Sequence, residues 1–106
     1  MTLDFLTLRI ANVKRCEESF QSHGGVEGWS ETDWGCALAG EVGELCNLLK
    51  KRRRGEGIPL KAVLDELADV IIYADLLAWK LKVQLSDPIR DKFNEVSDRV
   101  GSKVYL

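Results

Sequence analysis

Histidine is nearly missing from this chain: His23 is the only one in 106 residues. A di-iron carboxylate bundle is built on Glu-x-x-His pairs. Neither Glu41 nor Glu66 has a histidine three residues on, so that centre is excluded. Cysteine is scarce as well. Cys16, Cys36 and Cys46 are an odd number without metal-ligand spacing, which reads as reduced thiols in a cytoplasmic protein. Charges interrupt every hydrophobic stretch, so no run approaches membrane-spanning length. The segment from Met1 to Ile10 contains Asp4 and has no basic leader, unlike a signal peptide. A net charge of −2 gives no global drive toward a nucleic acid polymer. Strand-like alternation never extends beyond a few residues, and no internal repeat is present. What remains is an ordinary globular balance, 45% hydrophobic and 30% charged, in a single domain spanning residues 1–106.

Helical periodicity fills that domain. Leu3, Leu6, Ile10, Val13, Cys16 and Phe20 repeat at three-to-four spacing and predict a first amphipathic helix, broken by the glycines of residues 23–28. Ser30 or Thr32 suits the cap of a second helix running from about Asp33 into the basic run Lys50, Lys51, Arg52, Arg53 and Arg54. Gly55-Glu56-Gly57 ends it, and Pro59 suits the start of a third. That helix carries Leu60, Leu64, Leu67, Ile71, Ala74, Ala78 and Leu81 as its stripe. Ser86 is expected to cap a fourth helix with Ile89, Phe93, Val96 and Val100 as its buried face, stopped by Gly101. Helices of this length with short connections predict an all-α four-helix bundle. The second and third helices are apolar on several sides, at Leu48, Leu49, Val70, Ile71, Ile72, Leu76 and Leu77. A helix of that kind is buried on several sides, which predicts a homodimer or homotetramer.

Two carboxylate pairs interrupt these stripes: Glu41-x-x-Glu44 and, after a spacer of 21 residues, Glu66-x-x-Asp69. Residues three apart share a helix face, so two antiparallel helices would bring the four carboxylates together. Such a cluster repels itself and loses solvation unless a cation joins it. Oxygen-only ligands suit Mg²⁺, with Mn²⁺ as a second possibility. Against this stands the ordinary reading of acidic residues at that spacing as a solvated face. Glu41, in register with Trp34, Leu38, Leu45 and Leu48, argues the other way.

The stretches Ala39-Gly40-Glu41-Val42-Gly43-Glu44-Leu45, Lys50-Lys51 and Asp65-Glu66-Leu67-Ala68-Asp69-Val70 resemble the MazG-like all-α nucleoside triphosphate pyrophosphohydrolases. So do Lys92-Phe93-Asn94 and Ser97-Asp98-Arg99; the resemblance runs from about Trp29 to Arg99. It implies Mg²⁺-dependent cleavage of a (deoxy)nucleoside triphosphate between the α and β phosphates, for housecleaning or control of nucleotide pools. It also implies dimers or tetramers with sites lined by more than one subunit. Glu41, Glu44, Glu66 and Asp69 would hold the metal, with Glu44 also the candidate base. Lys50, Lys51, Arg54 and Lys92 are candidates to offset the charge of the leaving pyrophosphate, Asn94 is a further candidate contact, and Trp29 could stack on a base. Each has a plainer role open to it. The basic run suits a solvated helix end, Lys92 and Asn94 flank Phe93, and Trp29 could pin the entry to the second helix. Asp75 reads as structural or exposed, and Tyr73 as core, interface or site. Phosphoribosyl-ATP pyrophosphohydrolysis and a non-catalytic helical interaction module remain the alternatives.

Overall fold

The computed structural model describes residues 2–20 and 24–106; His23 falls outside them. Four α-helices and no strand are present among the described residues: α1 Phe5–Ser19, α2 Glu31–Arg53, α3 Leu60–Lys80 and α4 Ser86–Val100, with a 3-10 turn at Gly25–Gly28. Asp4 caps α1 by accepting from the Thr7 amide at 2.7 Å. Ser30, not Thr32, caps α2: its hydroxyl accepts from the Asp33 amide while Asp33 accepts from the Ser30 amide, a reciprocal pair that satisfies two otherwise orphaned donors. Pro59 precedes α3. The expected cap of α4 does not form. Ser86 is already the first helical residue, Leu85 occupies the cap position, and no side chain bonds there. Gly101, at φ 74°, ends α4 as expected. Gly24 has a positive φ of 83°, and a Cβ there would meet the Gly28 Cα at 3.0 Å, so the entry to the 3-10 turn requires glycine.

Helices α2 and α3 pack along their length as a hairpin, and α1 lies against α3. An aromatic cluster closes one end. Trp34 is 1% exposed and donates its indole N–H to the Val26 carbonyl at 2.9 Å. Trp29 lies 4.7 Å from it between ring centres, Phe20 meets Trp29 edge-on at 5.7 Å, and Tyr73 completes the group at 6.4 Å from Trp34. Trp29 therefore pins the turn into α2 from within the core cluster.

The inward faces of α1 and α3 differ from the apolar stripes. Asp75 is fully buried. Its carboxylate accepts from Arg9 Nε at 3.1 and 3.2 Å and from Asn12 Nδ2 at 3.0 Å. Arg9 also donates to the Val83 carbonyl at 2.7 Å, tying α1 to the chain beyond α3. Because Arg9 and Asn12 turn inward, Leu6 and Ile10 face out. On α3 the buried residues are Val63, Asp75, Leu76 and Ala78, whereas Leu60, Leu64, Leu67 and Ile71 of the expected stripe are each about half exposed.

Four helices are present as expected, but α4 makes at most a marginal contact with the other three. The radius of gyration is 16.3 Å, against about 13 Å for a compact domain of this length. The C-terminal residues fold back on α4 instead. Ser97 donates to the Val104 carbonyl at 2.6 Å, Tyr105 donates to Asp98, and Asn94 both donates to and accepts from the Leu106 backbone. A groove of about 660 Å³ bordered by Leu85, Ile89, Phe93, Val96 and Val100 runs along α4.

The Arg9–Asp75 pair gives a quantitative expectation. Removing one partner of a buried pair strands the other charge, so Asp75→Ala or Arg9→Ala should each destabilise the chain by about 3–5 kcal/mol. The double variant should lose less than the sum of the two. Denaturant titration of all four proteins measures the cycle, and strictly additive losses would deny the coupling.

Candidate metal centre

The hairpin connection sets the register of the acidic residues. Glu41 and Asp69 lie fourteen residues to either side of Gly55, and Glu44 and Glu66 lie eleven to either side. Folding α2 back on α3 therefore matches the two pairs across the interface. One carboxylate oxygen from each of Glu41, Glu66 and Asp69 falls within 4.8 Å of the other two. All three side chains are half-buried. Glu44 is exposed, one turn along α2, and acts on Glu41 and Glu66 both as a negative charge and as a hydrogen-bonding neighbour.

Burial and like charge together set the electrostatics of the cluster. Burial, followed by the charges of Glu44 and Asp69, holds the Glu41 carboxyl above its ordinary range. Burial raises that of Glu66 too, reinforced by hydrogen bonding to Glu44 and by the charges of Glu44, Glu41 and Asp69. No lysine or arginine contributes to either shift. Glu41 Oε2 and Glu66 Oε2 are shielded from solvent and accept no hydrogen bond. A carboxylate oxygen removed from water without a partner costs free energy. Oxygen donors converging in this way fit a hard divalent ion such as Mg²⁺ or Mn²⁺, for which Glu41, Glu66 and Asp69 would be the ligands and Glu44 the fourth carboxylate at hand.

A cleft of about 260 Å³ opens beside Asp69, between α1 and α3. Asn12, Cys16, Trp34 and Leu76 are its buried lining, Phe20, Ile72 and Tyr73 are half-buried, and Arg15 and Ser19 stand exposed at its edge. The Tyr73 hydroxyl is pushed up by burial and by the charges of Glu41 and Asp69, with Arg15 opposing, so it stays a neutral donor. Asp75, three hydrogen bonds deep in Arg9 and Asn12, has the structural role rather than a ligand's.

The other candidate side chains lie elsewhere. Lys50 borders a separate depression with Cys46, Leu49 and Arg53, and Lys51 is half-buried next to it in sequence. Arg54 pairs with Glu56 at 2.6 Å. Lys92 pairs with Glu95 on α4 at 3.3 Å, and Asn94 holds the C-terminal residues. Trp29 sits in the aromatic cluster and not in the cleft lining. The polar residues of α1 that line the cleft, Asn12, Arg15 and Ser19, were not singled out from the sequence. Their one visible signal is polar character at α1 positions that recur with the helical repeat, alongside Arg9 and Cys16.

Three comparisons, with protein-family models, with curated proteins and with solved structures, find no match for this chain. No helix among the described residues is long and apolar enough to cross a membrane. Cys16, Cys36 and Cys46 are all free thiols.

The raised carboxyls give the metal-free fold a signed pH dependence. Glu41 and Glu66 bind protons more tightly when folded than when unfolded, where the ordinary value of 4.5 applies. Each therefore lowers stability as pH rises from 4.5 through its folded value, and the loss reverses as pH falls. Glu41→Gln and Glu66→Gln should melt above the metal-free wild type by a margin that widens with pH across this window. Mg²⁺ or Mn²⁺ should raise the wild-type Tm at neutral pH and raise that of the variants less. Thermal melts with and without metal check both, and a margin that stays flat with pH contradicts the clustered carboxylates.

Proposed function

We propose that this chain is a MazG-like nucleoside triphosphate pyrophosphohydrolase, cleaving (deoxy)nucleoside triphosphates between the α and β phosphates. The observation that carries the reading is the convergence of Glu41, Glu66 and Asp69 within 4.8 Å, with two shielded oxygens lacking partners. The double acidic motif and its flanking residues support it through their resemblance to that family. In the reaction, water adds to the α phosphorus, the bond from that phosphorus to the bridging oxygen breaks, and pyrophosphate departs as the nucleoside monophosphate forms. A bound divalent ion supplies charge neutralisation and Lewis acidity at the phosphoryl group. Glu41, Glu66 and Asp69 would hold that ion, whose charge would offset their repulsion of the substrate's phosphates. Glu44, exposed beside Glu41 and Glu66, would take the proton of the attacking water. The neutral Tyr73 phenol on the cleft wall is a hydrogen-bond donor to substrate oxygens. The three free thiols fit the reducing cytoplasm.

The chain assembles, in this reading, as a homodimer or homotetramer. Outward Leu60, Leu64, Leu67 and Ile71 on α3, Leu6 and Ile10 on α1, and Ile89 and Phe93 on the detached α4 leave apolar surface on three helices. Packing against further copies would remove this surface from water.

Incubation with a panel of nucleoside triphosphates and phosphoribosyl-ATP in the presence of Mg²⁺ should release pyrophosphate; orthophosphate as the only inorganic product would refute the cleavage position. Glu41→Gln, Glu44→Gln, Glu66→Gln and Asp69→Asn should each abolish or greatly reduce turnover while keeping the helical circular dichroism of the wild type. Wild-type rates in all four would remove the carboxylates from the account. For assembly, analytical ultracentrifugation at micromolar protein should give a dimer or larger, and a concentration-independent monomer mass would overturn it.

A further inference from the structure

The proposed reaction needs positive charge on the substrate's phosphate chain, and the basic run of α2 is poorly placed to supply it within one chain. Lys50 lies six residues beyond Glu44, about 9 Å farther along the helix axis, and borders a different depression. Arg54 is paired with Glu56, Arg9 with Asp75, and Lys80 with Glu27. Arg15 differs from all of these. It borders the same cleft as Asp69 and Tyr73, is exposed, and makes no ion pair or hydrogen bond among the described residues. A guanidinium also matches phosphate oxygens through paired N–H donors, which an ammonium does not.

We infer that Arg15 binds the phosphate chain of the nucleotide held at the carboxylates. The inference rests on the pyrophosphohydrolase reading and adds to it a residue of α1, outside both acidic motifs. Asp69 on α3 and Arg15 on α1 both line the cleft, so a polyphosphate held through a metal at Asp69 would extend along the wall that carries Arg15. Phe20 and Tyr73, half-buried in the same lining, offer aromatic surface on which a nucleobase can stack. Because Arg15 is exposed and unpaired, its replacement leaves the packing of α1 on α3 untouched.

Calorimetric titration with an α,β-methylene nucleoside triphosphate analogue and with the corresponding monophosphate, both with Mg²⁺, tests the assignment. Arg15→Ala should weaken the triphosphate analogue by roughly tenfold to a hundredfold and the monophosphate by much less. Arg15→Lys should recover part of the loss. Lys14→Ala, an exposed cation on α1 outside the cleft, should bind both ligands as wild type does and so controls for net charge. Equal weakening of both ligands, or none, overturns the role of Arg15 while pyrophosphate release by the wild type leaves the parent reading standing. A wild type that neither binds the analogue nor turns over any nucleotide overturns both.

Discussion

Burial of the Asp75 carboxylate is the constraint on which the rest of this fold depends. A charge without solvent must be met by donors, and the two that meet it, Arg9 and Asn12, both belong to α1. Satisfying Asp75 fixes how α1 is rotated against α3. That rotation brings Cys16 into the core, places Arg15 and Ser19 at the edge of the cleft beside Asp69, and turns Leu6 and Ile10 outward. One buried ion pair thus decides which side of α1 serves the cleft and which side is left apolar and open. The same network reaches past α3 through Arg9 and the Val83 carbonyl.

The acidic centre follows from a second constraint, the equal spacing of both carboxylate pairs about Gly55. Given a helical hairpin with its turn there, Glu41 meets Asp69 and Glu44 meets Glu66 by register alone. The convergence of Glu41, Glu66 and Asp69 was therefore legible in the sequence, although Glu44, expected with them, stands exposed one turn away; the helices, their glycine stops and the core position of Trp34 were legible too. The faces of α1 and α3 were not. Periodicity assigns apolar residues to the inside, and here Arg9, Asn12 and Asp75 satisfy one another inside while Leu60, Leu64 and Leu67 lie outside. Nothing local to α1 announces that Arg9 has a partner 66 residues away.

The same limit applies to α4. Its apolar stripe predicts a buried face, yet Ile89, Phe93 and Val100 are exposed and α4 meets almost nothing among the described residues, because a stripe does not say against what it packs. Asn94 looks like a candidate for a ligand until the Leu106 backbone is seen to engage its side chain. Trp29 shows a related ambiguity. Its place after a glycine-rich loop suits either a ligand or the core, and only the proximity of Phe20 and Trp34 decides for the core.

That aromatic cluster makes the chain its own spectroscopic reporter. Trp34 is packed against Trp29 at 4.7 Å and at the same time forms part of the cleft lining. Coupled indoles held at a fixed angle in a rigid, asymmetric setting give near-ultraviolet circular dichroism, a signal that loose packing erases. Because Trp34 belongs to the cleft wall, an occupant that shifts that wall would alter the coupling, and occupancy could be followed optically without attaching a dye.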